Sequence, residues 1–347
     1  MIDYSEAKIL NVSAHIVGNG VNGEKLKLSA GPLDVESEDI EKMVLKYFLS
    51  SFTTPEYYRF TSEDDNFRVN PVFNFVSAMF SRPQTFHENS INIAHHLFNT
   101  TLLPIIKSGE LFVAHLSNVV VQDETIEVIG IFKAENRSSY LKLNTSSPDF
   151  ALKVDSGINV QKLDKGCLVF KMEKESGFKV LAVDAVNKSE AQFWMNEFLC
   201  LAPRAESYHQ TRNFLDLTRQ YVDEQMSDEF QVSKADKIDL LNRSMNFFKS
   251  KDQFDKHEFE EQVLEDPSVI ESFRNYERSH PWGEANSAEN FEISAQAVKK
   301  QVRVFKSVLK LDKNFHIYIH GNRELIEKGF DEHTNKHFYK IYFDQET

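Results

Sequence analysis

Two groups of basic side chains have a spacing that suits phosphate binding. Arg204, Arg212 and Arg219 are separated by eight and seven residues. In an α-helix such steps return to nearly the same face. Arg204 stands at or before the start of the helix predicted here, so Arg212 and Arg219 form the stripe. A row of guanidinium groups neutralises backbone phosphates without reading the bases.

The second group lies nearer the C-terminus. Residues 299–313 contain six basic residues and one acidic residue, a net charge of +5. Most of them recur at three- and four-residue steps, which is one face of a helix if the helix extends that far. The candidate phosphate-binding residues of this group are Lys299, Lys300, Arg303, Lys306 and Lys310. The simpler interpretation stays open: both groups are exposed faces that pair with nearby acidic residues.

A glycine motif matches a dinucleotide site by its letters. Gly18-x-Gly20-x-x-Gly23 has the spacing of that fingerprint. The fingerprint needs a helix to follow, because the helix N-terminus faces the pyrophosphate. Residues 24–28 alternate apolar and polar like a strand instead, so we predict a hairpin loop here and no nucleotide cofactor.

Metal-binding patterns are incomplete. His87-Glu88 opens like a zinc-protease motif, but no second His follows at the required spacing. His316 and His320 share one side of a predicted strand yet lie about 13 Å apart along it. Acidic clusters such as Glu63-Asp64-Asp65 are more typical of a solvated surface than of a Mg²⁺ site. We predict a protein that is not an enzyme and has no metal or cofactor; a nuclease with dispersed carboxylates stays an open alternative.

The composition narrows the class of protein. The 347 residues have a formal net charge of −13, and residues 251–298 alone, with twelve acidic and four basic residues, have −8. DNA contact would therefore use a restricted basic patch. Cys167 and Cys200 lie in apolar runs, which predicts buried free thiols in a reducing compartment. The N-terminal residues lack a signal-peptide pattern and no run approaches the ~20 apolar residues of a membrane span, so we expect a cytoplasmic protein.

Two parts of different character must position these residues. A chain of this length favours two domains. Up to about residue 200 the pattern alternates between helices and many short period-two strands, which predicts an antiparallel sheet. The short strands at 140–143 and 152–154 are expected to join that sheet. Beyond it, helices predominate and a small antiparallel sheet follows between residues 306 and 343. We predict an α+β fold with domains of residues 1–200 and 201–347.

Several stretches, in this order, resemble a known family. Residues 109–116 and 126–133 resemble the strand pair at the heart of the bacterial nucleoid-associated protein family of the NdpA type. Residues 160–166, 193–199 and 210–215 follow in the same order as in the family. The similarity covers the chain from about residue 5 to the end, and it rests on pattern and order.

The resemblance implies a cytoplasmic protein of the nucleoid that binds double-stranded DNA and contacts type II topoisomerases. It implies no catalytic residues and no cofactor. An alternative is an interaction module, in which the acidic stretch 251–298 docks a basic DNA-associated partner such as a type II topoisomerase. The sequence leaves the oligomeric state open.

Overall fold

The computed structural model describes most of the chain, in two compact units. The described residues are 2–35, 37–121, 124–145, 150–185, 192–204, 206–230, 232–280, 289–302, 305, 308–311, 315–318, 325–343 and 345. The N-terminal unit is Met1–Arg204 and the C-terminal unit is Ala205–Thr347. Helices and antiparallel strands occur in both, which confirms the predicted α+β class.

The N-terminal unit is built on an antiparallel sheet, in which nine strands of the described residues take part. The strands of this unit are β1 (Ile2–Asp3), β2 (Lys8–Val17), β3 (Lys27–Leu28), β4 (Tyr57–Phe60), β5 (Gly109–Val121), β6 (Glu124–Ala134), β7 (Arg137–Asn144), β8 (Ala151–Ile158), β9 (Lys165–Phe170), β10 (Lys179–Asp184) and β11 (Leu201–Pro203). The order in the sheet is β11-β4-β10-β9-β6-β5-β2-β3, and β1 also pairs with β5.

Helices cover both faces of this sheet. They are α1 (Glu38–Leu49), α2 (Pro71–Ser81) and α3 (Phe86–Thr100). Leu111 and Val113 of β5 pack into a core with α2 and α3. Ala114 and Leu116 of the same strand belong to a second core with α1. Since alternate residues of a strand point to opposite faces, the central strands are buried on both sides.

Strands β7 and β8 do not join the sheet. They pair only with each other in the described structure, from Arg137↔Ile158 to Asn144↔Ala151. The expectation that residues 140–143 and 152–154 would continue the sheet is therefore wrong. The neighbours β6 and β9 pair directly, and the β7–β8 hairpin is inserted between them in sequence. We call this strand pair, Arg137–Asn144 with Ala151–Ile158, the arm.

Buried charges fix the point where the arm leaves the sheet. The Glu135 carboxylate accepts hydrogen bonds from the Nζ atoms of Lys133 and Lys165, each at 2.8 Å. All three side chains are at most 2% exposed. Asp164 accepts the backbone N–H groups of Glu135 and Asn136 at 2.8 and 2.9 Å. Both ends of the arm are thus attached to one hydrogen-bonded network.

The C-terminal unit is mainly helical. Helix α4 (Ser207–Gln220) continues through a π-helical turn (Tyr221–Gln225) into α5 (Met226–Glu229). The other helices are α6 (Lys234–Ser250), α7 (Lys256–Phe259), which runs into a π-helical turn (Glu260–Leu264), α8 (Pro267–Ser279) and α9 (Ala295–Gln301). Within the described ranges no helix is long and apolar enough to cross a membrane.

Phenylalanine side chains form the centre of this unit. The ring of Phe214 on α4 lies 4.4 Å from that of Phe254 and 5.0 Å from that of Phe259. Three strand pairs complete the unit: β12 (Gln253–Asp255) with β13 (Asn290–Glu292), β14 (Val308–Leu311) with β15 (Phe315–Tyr318), and β16 (Ile326–Asp331) with β17 (Lys336–Ile341). The predicted C-terminal sheet consists, in the described residues, of two separate hairpins.

Candidate nucleic-acid interface

Helices α4 and α9 bring members of the two basic groups together. The backbone N–H of Ser294, the N-cap of α9, donates to Oγ1 of Thr211 on α4 at 3.0 Å. Near the other end of α9, Nζ of Lys300 lies 5.5 Å from the centre of the Tyr208 ring. This distance allows a cation–π interaction. Helix α9 therefore lies along the first part of α4, and Lys300 is held above its first turn.

Arg212 follows Tyr208 by four residues, so both lie on the same side of α4. The Arg212 guanidinium is 3.3 Å from Nδ1 of His209, and its Nε is 3.5 Å from Oδ1 of Asn213. The side chain is half-buried, which restricts its rotation. A phosphate that reaches Arg212 would therefore meet a cation that is already oriented.

A polar cleft of about 310 Å³ begins at Arg212. It is lined by Arg212, Asn213, Asp216, Leu217, Gln220 and His280. The Nδ1 atom of His280 is buried and lacks a hydrogen-bond partner among the described residues. The amide, guanidinium and imidazole groups of the lining are able to donate to an anionic oxygen, whereas the Asp216 carboxylate opposes one.

Arg219 lies at the far end of the same stripe. At 1.5 Å rise per residue it is about 10.5 Å along the helix from Arg212. Its guanidinium group lies 4.0 Å from Oδ1 of Asp216, and the side chain is 35% exposed. An ion pair this long and this exposed contributes little, so Arg219 keeps most of its attraction for other anions.

The lysine group is only partly helical. Lys299 and Lys300 are exposed at the end of α9. Because α9 ends at Gln301, the condition for one continuous face from Lys299 to Lys310 is not met. Lys310 is paired with His316 in β14–β15, so its backbone belongs to a strand and not to a helix. Arg303, Lys306 and the side chain of Lys310 lie outside the described residues.

Arg204 belongs to the N-terminal unit and not to α4. Its backbone N–H donates to the carbonyl of Tyr57 at 3.1 Å. Its guanidinium forms an ion pair with Glu173 and donates to the carbonyl of Phe178 at 3.4 Å. Arg204 is thus tied into its own unit, and we leave it out of the interface. We define the α4–α9 patch as Arg212, Arg219, Lys299 and Lys300.

The glycine motif and the acidic cluster have structural roles, whereas His320 and the side chain of His316 lie outside the described residues. Residues 20–22 form a single helical turn that leads into β3, which confirms the predicted loop. In the acidic cluster, Asp65 accepts hydrogen bonds from Thr61 at 2.8 Å and from Arg59 at 2.7 Å, and these bonds lower the pKa of its carboxyl group. No group of three or more His, Cys, Asp or Glu side chains could hold a metal ion in the described part of the chain. Cys167 is a buried free thiol as predicted, but Cys200 is only half-buried.

Sequence reasoning missed Tyr208 and His280. Tyr208 carries a usable signal, since it precedes Arg212 by four residues within a predicted helix. His280 comes from the end of α8, far from α4 in sequence, and only the tertiary structure brings it to the cleft.

Comparison with known proteins assigns the chain to a family. A family model described as nucleoid-associated protein YejK, NA37, matches residues 13–339. No curated protein matches the chain. Because the match spans nearly the whole chain, this protein belongs to the NA37 family of nucleoid-associated proteins.

Proposed function

We propose that the protein binds double-stranded DNA at the nucleoid through phosphate contacts of the α4–α9 patch, with little sequence specificity. The observation that carries this proposal is the approach of Lys300 to Tyr208, beside Arg212 on α4. Two basic groups that are remote in sequence thereby supply one surface. The family membership supports the nucleoid as the place of action.

The patch limits how strongly DNA can be held. Four cations neutralise at most four phosphates, so log Kobs should fall with log salt with a slope of about −3.6. The chain has a net charge of −13, and this charge repels DNA away from the patch. We expect affinity in the ~10⁻⁴ to 10⁻⁶ M range that is usual for binding without base readout.

The test is a salt titration of DNA binding followed by fluorescence anisotropy. Duplexes of equal length and unrelated sequence should bind alike. The double variant Arg212→Gln/Lys300→Gln should bind more weakly and reduce the slope by about 1.8, the loss of two phosphate contacts. A matched control, Lys249→Gln/Lys328→Gln, removes two exposed positive charges outside the patch and should leave the slope unchanged.

Three results would contradict the proposal. The first is no binding at low salt, and the second is binding that does not respond to salt. The third is an equal loss of DNA affinity in the patch variant and in the matched control, since that would show an effect of net charge alone.

A second candidate function is docking of a basic DNA-associated protein, such as a type II topoisomerase. Glu261, Asp266 and Glu271 are exposed on consecutive elements of the C-terminal unit. Two other acidic residues of this stretch are more buried and form ion pairs within the unit: Glu260 with Arg274 and Glu277 with Lys256. Glu261 lies 3.5 Å from an exposed imidazole, that of His257, and Asp266 accepts hydrogen bonds from Ser268, but both carboxylates stay open to solvent. The exposed acids are therefore the ones that would meet a partner. Co-purification that survives nuclease treatment and is lost in Glu261→Gln/Glu271→Gln would support this function.

A further inference from the structure

The arm has one aliphatic face. In β7–β8, Leu141 is directly opposite Val154, and Leu143 is opposite Leu152. Directly paired residues of a hairpin point to the same side, so these four side chains form one patch. They are 53–74% exposed. An isolated two-stranded hairpin is only marginally stable in water, so a bare aliphatic face on one indicates that something covers it.

This face continues into an apolar groove at the base of the arm. Residues 152, 154, 156 and 158 share one side of β8 because side chains alternate along a strand. Ile158 is also part of the groove, which has a volume of about 220 Å³ and runs along α1. Ile40 and Met43 of α1 line the groove and are 50% and 55% exposed. One apolar strip therefore runs from the arm into the groove.

We propose that this strip is the contact surface with a second copy of the chain, in which the arm of each copy packs into the α1 groove of the other. A strip that carries both an arm and a groove is self-complementary about a two-fold axis, as an isologous interface requires. A single two-fold rotation then covers the aliphatic face of the arm and the α1 groove in both copies.

The exposed area suits such a contact. The six aliphatic side chains of the strip offer on the order of 400 Å² of apolar surface per copy. Since about 60% of an interface is apolar, the two copies would bury on the order of 1,300 Å² in total. That is the size of a stable, specific protein–protein interface.

The charges agree with this occupant. Lys142 and Lys153 are directly opposite each other on the other face of the arm. Like charges in this position repel, so a neighbouring anion stabilises them. The first turn of α1 is acidic, with Glu38, Asp39 and Glu41, and Asp39 lines the groove. An exchanged arm would bring the lysines close to these carboxylates. DNA phosphates could also pair with the two lysines, but they would not bury the aliphatic side chains on the other face of the arm.

Sedimentation-velocity ultracentrifugation of the full chain over a wide range of concentration tests the proposal. We expect a reversible dimer. Leu141→Glu on the arm and Met43→Lys in the groove should each raise the dimer dissociation constant at least tenfold, the equivalent of about 1.4 kcal/mol. Tyr140→Gln, a polar but uncharged change on the opposite face of the same arm, is the control and should leave the dimer intact. Far-ultraviolet circular dichroism confirms that each variant is folded.

Mixing separates arm exchange from other dimers. A mixed pair of the Leu141→Glu and Met43→Lys chains keeps one native arm–groove contact, and at the other contact it places the introduced carboxylate beside the introduced ammonium group. Dimers should therefore reappear on mixing. The proposal is overturned if the wild-type chain is a monomer throughout, if the control dissociates as readily as Leu141→Glu, or if mixing restores nothing. Loss of DNA binding in Leu141→Glu with a wild type that stays monomeric would identify DNA as the occupant.

Discussion

Replacement of Glu135 by Gln should destabilise the N-terminal unit strongly. The Glu135 carboxylate lies between Nζ of Lys133 and Nζ of Lys165, at 2.8 Å from each, and its side chain is fully buried. Gln has almost the same volume, so the change removes a charge and leaves no cavity. After the substitution, the carboxylate of Asp184 would still lie near these ammonium groups, since its Oδ2 is 3.7 Å from Nζ of Lys165.

The magnitude follows from the burial of the network. Removal of one partner from a buried ion pair costs about 3–5 kcal/mol, because the remaining charge stays desolvated. The amide oxygen of the substituted side chain would still accept one hydrogen bond, and Lys133 also donates to the carbonyl of Lys107 at 2.6 Å. These two contacts place the expected loss near the lower end, at about 3 kcal/mol.

Urea unfolding with a probe confined to the N-terminal unit measures this loss. The chain has two tryptophans, and Trp194 is fully buried in the core between the sheet and helices α2 and α3. In a Trp282→Phe background, Trp194 fluorescence reports on this unit alone. A unit-specific probe is needed because a chain of two compact units does not guarantee a single two-state transition.

Two further variants make the prediction refutable. Glu175→Gln breaks the exposed pair with Arg68, which is 3.4 Å long, and should change stability by less than about 0.5 kcal/mol. The combined change Lys133→Met/Glu135→Leu/Lys165→Met/Asp184→Asn removes all four buried charges, including that of Asp184 beside Lys165, and should be more stable than Glu135→Gln. A loss below about 1 kcal/mol for Glu135→Gln would falsify the reasoning, since that is the range of an exposed pair.

Two more predictions concern the same unit. Burial, and then the charges of His87 and His95, lower the pKa of His15 to about 4. The unfolded chain therefore takes up a proton between about pH 6.5 and pH 4 that the folded unit does not, and stability should fall as the pH drops through this window. In a series of urea titrations, His15→Gln should reduce that dependence by up to about 1.4 kcal/mol per pH unit; equal slopes for both proteins would refute this. A Cβ atom at Gly109 would lie 2.0 Å from the carbonyl oxygen of Ala134, so Gly109→Ala should lower the urea midpoint by the equivalent of about 1–3 kcal/mol, whereas Gly31→Ala, in open space, should leave it nearly unchanged.

Local signals in the sequence predicted many elements with accuracy. Serine is a common N-cap residue, and the hydroxyl of Ser233 accepts the N–H of Asp236 in a capping box at the start of α6. The alternation of residues 110–121 and 125–133 corresponds to β5 and β6 within one residue at each end. Caps and periodicity act within a few residues, so one sequence is enough to detect them.

Elements that depend on distant partners were missed. Strands β4, β11, β12 and β13 have three or four residues each. They are strands only because another strand supplies their hydrogen bonds. The arm was assigned to the sheet for a related reason. An alternating pattern states that one face is apolar, but not whether the same chain covers that face.

The candidate site shows the same division. The seven-residue step from Arg212 to Arg219 is a property of one helix and was visible in the sequence. The position of Lys300 above Tyr208 requires α9 to pack on α4. The ion pair of Arg204 with Glu173 joins residues that no periodicity relates. The spacing of basic residues in the sequence therefore predicts a stripe along one helix, whereas tertiary contacts determine which basic side chains belong to the interface.

The α4–α9 patch and the arm together predict how the affinity for DNA depends on salt concentration. A monomer has one α4–α9 patch, whose four cations give a slope of about −3.6. A dimer formed through the arms has two patches, and if both hold one duplex the slope approaches twice that value, with affinity raised by effective concentration. Leu141→Glu lies in the N-terminal unit, and the patch belongs to the C-terminal unit. If this variant halves the slope on a long duplex and leaves it unchanged on a short one, arm exchange is what allows an acidic chain to hold DNA firmly.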